Sequence, residues 1–277
     1  NAVGRLGHAL RGVELLTTDD EHEANAIARE LEELNRQRQE LDRSTLQRAS
    51  RLVDRLDLDA TFGLVLAEQG WHPGVIGIVA SRIVEEVYRP TILIALSGDE
   101  GKGSGRSIPA FDLHGGLSEC RDLLVRFGGH RSAAGVTIES AKVEAFAERF
   151  NRAAAARLTS ADLVPEVRID LEVPLGAVTF DLEALLRHFE PFGAGNAAPV
   201  LLARGVRLAQ TPRVVGQGHL KLRLAQDGVE LDAVGWGMGA RAQELRAASS
   251  LDVAFRLERD EWNGQPRLQA KLADVRA

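Results

Sequence analysis

A single cysteine, Cys120, occurs in 277 residues. One thiol excludes an internal disulfide and a cysteine-rich zinc site. It fits a reducing cytoplasm, the expected location. No apolar run is long enough to span a bilayer and no charged-then-apolar leader opens the chain, so no membrane partner is expected. Histidine-based metal signatures are missing too. His8, His22, His72, His114, His130, His188 and His219 form no H-x-H or H-E-x-x-H, and the D-x-D at Asp57 and Asp59 reads as a solvated helix end. No complete hydrolytic metal centre is expected in these residues. Lysine is scarce, four against thirty arginines; nucleotide bias explains that, and so does selection for guanidinium forks on phosphate. The formal charge is −6, so no global basic field advertises nucleic acid. Residues 19–58 alone hold eleven acids and seven bases, which leaves the rest at only −2 and a local basic groove open.

The length allows two domains at ~100–200 residues each. Residues 19–57 contain no Gly or Pro, open on Asp19 and Asp20, and repeat apolar residues from Ile27 to Leu56 mostly at steps of three, four or seven. That predicts one long helix or two consecutive ones. The seam is too broken for strict heptads, so a connector between domains is favoured over a coiled-coil arm. Residues 61–160 alternate: strand "TFGLVLA", helix Pro73–Tyr88, strand "TILIAL", a glycine loop, a helix over 113–126, "GGH", strand "AGVTI", and a helix over 140–157. This is an α/β layered pattern. Residues 198–277 instead hold five short strands and one helix near 239–247. "HLKLRLA" and "RLQAKLA" alternate apolar with polar residues, as in a small Greek-key barrel of the OB type, with a β-sandwich as the competing architecture. The linking "HFEPFGAGNAAP" reads as a structured loop. Its "GAGNAA" lacks the strand and helix that a dinucleotide fingerprint needs.

Three stretches carry chemistry. "GKGSGRS", residues 101–107, lacks P-loop spacing but offers an anion nest. There Gly103 and Gly105 would let N–H groups converge, Ser104 would donate a hydroxyl, and Arg106 would grip two phosphate oxygens. A glycine-rich hairpin is the alternative. "RFGGHRSAAG" follows a predicted helix, with Gly128 as its left-handed terminator and Gly129 letting His130 approach another surface. His130 would donate to a phosphodiester or shuttle a proton, or would merely cap the turn. "GWHPG" puts Pro73 at a helix start whose free N–H groups favour anions; a tight strand-to-helix turn is the other reading.

Taken together, "NAVGRLGHA", "WHPGVIGIVASR", "RPTILIAL", "GKGSGRSI", "RFGGHRSAAGVTI", "FGAGNAAPV" and "GHLKLRL" resemble, in order, the C-terminal part of the RecJ family within the DHH phosphoesterase superfamily. Each motif is modest alone; seven in sequence are specific. The resemblance implies an α/β DHH-associated domain, preceded by a long connecting helix and followed by an all-β OB-fold-like barrel. The expected boundaries are 1–18 for the end of a DHH catalytic domain, 19–58 for the connecting helix, 59–160 for the DHH-associated domain, and 161–277 for the barrel with its lead-in.

The activity the resemblance implies is 5′-to-3′ hydrolysis of single-stranded DNA in repair and recombination. Mn²⁺ or Mg²⁺ would be bound by a DHH domain whose motifs this sequence lacks, so the chain alone is expected to be inactive. His130 would face the scissile phosphate. Ser104 and Arg106, with Gly103, Gly105, Gly128 and Gly129, would hold the 5′ phosphate and strand, and Asn1 and Arg5 would line the same cleft. The barrel would hold the trailing strand through Arg213, Lys221, Arg223, Trp236, Trp262 and Arg267. Implied partners are single-stranded DNA, the DHH domain, and a single-strand-binding protein or helicase. A non-catalytic single-strand-binding module, or a relative degrading short RNA or cyclic dinucleotides, remains the alternative.

Overall fold

Asp20 starts the longest element: its carboxylate accepts hydrogen bonds from the backbone N–H groups of His22 and Glu23. Glu21 and Glu23 add negative charge at the positive end of the helix dipole. In the computed structural model, which describes residues 2–261 and 264–277, two short helices lead to this cap, α1 (Val3–Leu6) and α2 (Leu10–Thr17). The helix itself, α3, runs unbroken over Glu21–Val53. It buries Ile27, Ala49 and Val53, and also Asp42 at 2% exposure. Arg82 lies 3.0 Å and Arg38 3.6 Å from the Asp42 carboxylate. The chain divides into two compact units, Asn1–Pro165 and Glu166–Ala277.

In the first unit β1 (Leu64–Gln69), α4 (Pro73–Val87) and β2 (Thr91–Ser97) form a parallel crossover. β3 (Glu100–Arg106), α5 (Leu113–Ser118), β4 (Leu124–His130), β5 (Ala133–Glu139) and α6 (Val143–Ala155) follow. The sheet order is β1-β2-β3-β5-β4, antiparallel from β2 onward. One face packs on α5 and α6 around Phe111, Phe146 and Phe150. On the other, α3 and α4 cover β1 and β2 through Ile76, Val79, Ile83, Leu64 and Leu93. Each such fully buried aliphatic side chain contributes roughly 1.5–3 kcal/mol.

Two expectations are corrected here. The predicted glycine loop is the strand β3, and Gly101, Gly103 and Gly105 are spaced for its pleat. A Cβ at Gly103 would stand 2.5 Å from Val136 Cγ2, and one at Gly105 would stand 3.0 Å from Leu113 Cδ2. These glycines let the sheet and the core side chains close up; they do not form an anion nest. The predicted helix over 113–126 stops at Ser118, and residues 124–130 are strand. Gly128 therefore terminates no helix. Asp112 caps this short helix by accepting from the N–H of Gly115, and the apolar "LLVRF" that follows suits a strand.

The second unit contains β6 (Leu171–Glu172), α7 (Phe180–Arg187), β7 (Leu201–Leu208), β8 (Arg213–Val215), β9 (His219–Gln226), β10 (Val229–Gly235), α8 (Ala242–Ala247), β11 (Leu251–Asp260) and β12 (Arg267–Arg276). Their order is β6-β7-β11-β12-β10-β9-β8, and a further β7–β9 pairing closes the sheet on itself. Alternate residues Leu220, Leu222 and Leu224 of β9 point inward, as the period-2 pattern requires. Sequence reading missed the two shortest strands. "FGAGNAAP" is a tight turn in which Gly193 and Asn196 exchange backbone hydrogen bonds. Among the described residues no helix is long and apolar enough to cross a membrane.

Candidate functional site

Strand register assembles the first site. Arg106 pairs with Ala133, and Ala133 with His130. Ser104 pairs with Gly135, and Gly135 with Gly128. Cross-strand partners share a face, so Ser104, Arg106, Gly128 and His130 occupy one surface of the sheet. It is the same surface that α4 covers over β2 and β3; beyond β3 it is open, and Gly128, Gly135 and His130 are exposed. At ~4.8 Å between strands, Arg106 and His130 lie about 10 Å apart across β5.

Arg106 is half-buried and donates to Ser104 Oγ at 3.1 Å and to the carbonyl of Gly105 at 2.7 Å. Burial, and then the nearby charge of Arg5, lower its pKa below the ordinary guanidinium value. Arg5 itself donates to the carbonyl of Gly74 at 3.2 Å. Neither arginine pairs with a carboxylate among the described residues. Most arginines of this chain that make side-chain contacts have such a partner; these two repel one another instead. An anion placed between them would relieve both the desolvation and the repulsion.

His130 closes the hairpin between β4 and β5. Its Nδ1 accepts from the backbone N–H of Ser132 at 3.3 Å. In the neutral ring that leaves the proton on Nε2, so His130 presents a donor outward. Gly129 makes the turn possible. Its φ is +148°, and a Cβ there would stand 2.3 Å from the carbonyl oxygen of Ala133. The hairpin tip is pinned by Ser107 N–H to the carbonyl of Ser132 and by Leu113 N–H to that of Arg131.

The start of α4 offers no free anion site. His72 Nδ1 accepts from the N–H of Gly74 at 3.0 Å, and the Arg5 carbonyl lies so close that a Cβ at Gly74 would stand 2.2 Å from it. This capping histidine was not foreseen. Asn1 lies outside the described residues.

On the barrel, Arg213 of β8 pairs in register with Lys221 of β9. Trp236 is 59% exposed and its ring meets that of His219 edge-on, with centroids 4.5 Å apart. His219 escaped sequence reading because an isolated histidine carries no signal; its cross-strand position supplies one. Arg223 is committed to two carboxylates, Glu230 at 2.9 Å and Asp232 at 2.7 Å. Arg267 sits opposite Asp260 across β11 and β12. Trp262 lies outside the described residues. Among the described residues no three His, Cys, Asp or Glu side chains gather as a metal site requires.

Residues 60–156 match the family model of the DHHA1 domain, and residues 169–274 that of the RecJ OB domain. The single-stranded-DNA-specific exonuclease RecJ of Bacillus subtilis is 35% identical over 99% of this chain and 35% of its own length. That of Thermus thermophilus is 37% identical over 100% and 38%. The chain belongs to the RecJ family. A crystal structure of Thermus thermophilus RecJ in complex with Mn²⁺ superimposes with a TM-score of 0.82 at 35% identity, covering 100% of this chain and 40% of that one; the complex with Mg²⁺ gives the same score. The RecJ arrangement of a DHHA1 domain followed by an OB domain is thus present here. The chain spans between a third and a half of the length of the curated RecJ relatives it matches.

Proposed function

We propose that this chain is the substrate-holding part of a RecJ exonuclease acting 5′ to 3′ on single-stranded DNA in repair and recombination. The carrying observation is the Arg5–Arg106 pair: two guanidinium groups set together without a carboxylate, beside the Ser104 hydroxyl. A terminal phosphate, with up to two charges and three acceptor oxygens, suits that setting better than a bridging phosphodiester does.

Arg106 and Ser104 hold the 5′ phosphate and fix which end enters. His130, through Nε2–H, donates to a phosphodiester oxygen whose charge grows in the transition state. Arg213, Lys221, Trp236 and His219 receive the strand on the barrel, by charge and by stacking. Mn²⁺ or Mg²⁺ would supply the hydrolytic chemistry from a DHH domain outside these residues, consistent with the metal complexes of the Thermus protein. This chain alone binds, orients and selects but does not hydrolyse. A single-strand-binding protein or helicase would act alongside it.

The test compares 5′-phosphorylated with 5′-hydroxyl oligothymidylate on the wild-type chain and on Arg106→Ala. A lost charge-assisted contact costs about 1.5–3 kcal/mol, so the variant should lose tenfold or more for the phosphorylated strand and little for the other. Equal losses for both strands would remove the 5′-phosphate assignment. Cleavage by the chain without added DHH domain would remove the division of labour.

A further inference from the structure

The open face of the first sheet continues past the Arg106–His130 row. Lys102 pairs with Thr137, and Thr137 with Arg126. This third row lies four residues along β3 from the Arg106 row, about 13–14 Å at strand rise. Lys102 and Arg126 are exposed and have no carboxylate partner among the described residues. Arg126 Nε donates to Thr137 Oγ1 at 3.1 Å, which lays the guanidinium across the sheet and leaves its terminal N–H groups outward. Between these rows, β5 and β4 present bare backbone at Gly135 and Gly128. A Cβ at Gly128 would meet nothing within 4 Å, and one at Gly135 only the Gly103 carbonyl at 3.9 Å. Neither glycine has a positive φ. Nothing in this chain therefore requires glycine at either position. The result is a groove of about 430 Å³, floored by Gly128 and Gly135, with Lys102 and Arg126 on its walls.

We infer that Lys102 and Arg126 form a second phosphate subsite, and that the DNA backbone runs over the Gly128–Gly135 floor from the Arg106–His130 row toward the Lys102–Arg126 row. The inference rests on the reading that Arg106 holds the terminal phosphate. Two unpaired cations favour a polyanion over an apolar or acidic protein segment's mixed surface, and a floor without side chains admits a backbone or a base edge at van der Waals distance. At the stacked-strand rise of ~3.4 Å per phosphate, the span between rows takes about four phosphates, fewer if the strand is extended. A dinucleotide that starts at Arg106 falls short of the subsite; a dodecanucleotide crosses it.

The experiment is anisotropy on the full chain with 5′-phosphorylated thymidine di- and dodecanucleotides over a potassium chloride series. In Lys102→Ala/Arg126→Ala, affinity for the dodecanucleotide should fall roughly tenfold. The log–log salt slope should shrink by about 1.4, two phosphates at ~0.7 each. Dinucleotide affinity and the preference for a 5′ phosphate should stay as in wild type. A second variant tests the floor without touching charge. Gly135→Val should leave the melting temperature unchanged or raised, because glycine weakens strands and space is open, yet weaken dodecanucleotide binding. Wild-type affinity and slope in both variants would overturn the subsite. Loss of the 5′-phosphate preference in Arg106→Ala alongside unchanged double-variant binding would leave the terminal pocket standing without it. An absent 5′-phosphate preference in wild type, with the double-variant loss still present, would overturn the terminal pocket and keep the subsite.

Discussion

The guanidinium of Arg106 rests against the backbone of Gly77: a Cβ there would stand 3.0 Å from Nη2 and 2.9 Å from Ser104 Oγ. Helix α4 thus acts as the wall that positions Arg106 and Ser104, the pair proposed to hold a 5′ phosphate, and it does so by having no side chain at that point. Gly77→Val should push both groups aside while leaving their charge intact. We expect a several-fold loss of 5′-phosphate preference. Some stability should be lost as well, since replacing glycine by β-branched valine relieves less than about 0.5 kcal/mol of helix penalty and offsets only part of the crowding. Thermal melts together with anisotropy check both.

If a RecJ-type DHH domain completes the enzyme as proposed, His130→Ala should lower kcat and kcat/KM together and barely change substrate affinity. A donor to developing phosphate charge acts mainly in the transition state. His130→Gln, which keeps an N–H donor at similar reach, should recover part of the rate. A rise in KM alone would assign His130 to ground-state binding.

Arg38→Ala/Arg82→Ala strips the buried Asp42 carboxylate of its partners and should cost about 3–5 kcal/mol in urea denaturation. Asp42→Asn should cost much less, because the arginines it releases reach water. The opposite order would show that Asp42 is solvated after all.

Burial pushes the Cys120 thiol up to about 11. The folded chain should therefore resist iodoacetamide at pH 8 and react only after denaturation. The folded state keeps this proton longer than the unfolded chain, whose thiol has an ordinary value of 9.0. Stability should therefore fall as pH rises from about 9 to about 11, and Cys120→Ser should lose that dependence. Denaturation midpoints over that range measure it.

On the barrel, Arg213→Ala/Lys221→Ala should lower the salt slope by about 1.4, whereas Arg223→Ala should change it little, because Arg223 already neutralises Glu230 and Asp232. Trp236→Ala should remove one stacking platform, about 1–3 kcal/mol for the base it carries. A salt titration of each variant separates charge from stacking.

Much of this organisation was legible in the residues. The long helix showed itself by the absence of Gly and Pro between Asp20 and Val53, and the barrel by the alternation of "HLKLRLA". The glycine stretch misled. Glycines at every second position resemble a loop to any composition argument; only the neighbours Ile94, Val136 and Leu113, distant in sequence, make them a strand's inner face. The same long-range pairing puts His130 in line with Arg106, and no spacing along the chain encodes that. Lys102 and Arg126 were not read as a pair because each is an ordinary surface cation until β5 aligns them. Arg223 looked available because its two carboxylates come from the next strand.

The alternation along β3 also couples correctness of folding to correctness of the site. Lys102, Ser104 and Arg106 look out while Gly101, Gly103 and Gly105 look in. A shift of one residue in pairing would drive a lysine, a serine and an arginine into the space beside Ile94 and Val136, which has no room even for a methyl group. A misaligned strand is thus rejected by its own core before it can present a defective surface. The strand proofreads itself, and any molecule that passes that steric check carries its three rows in register.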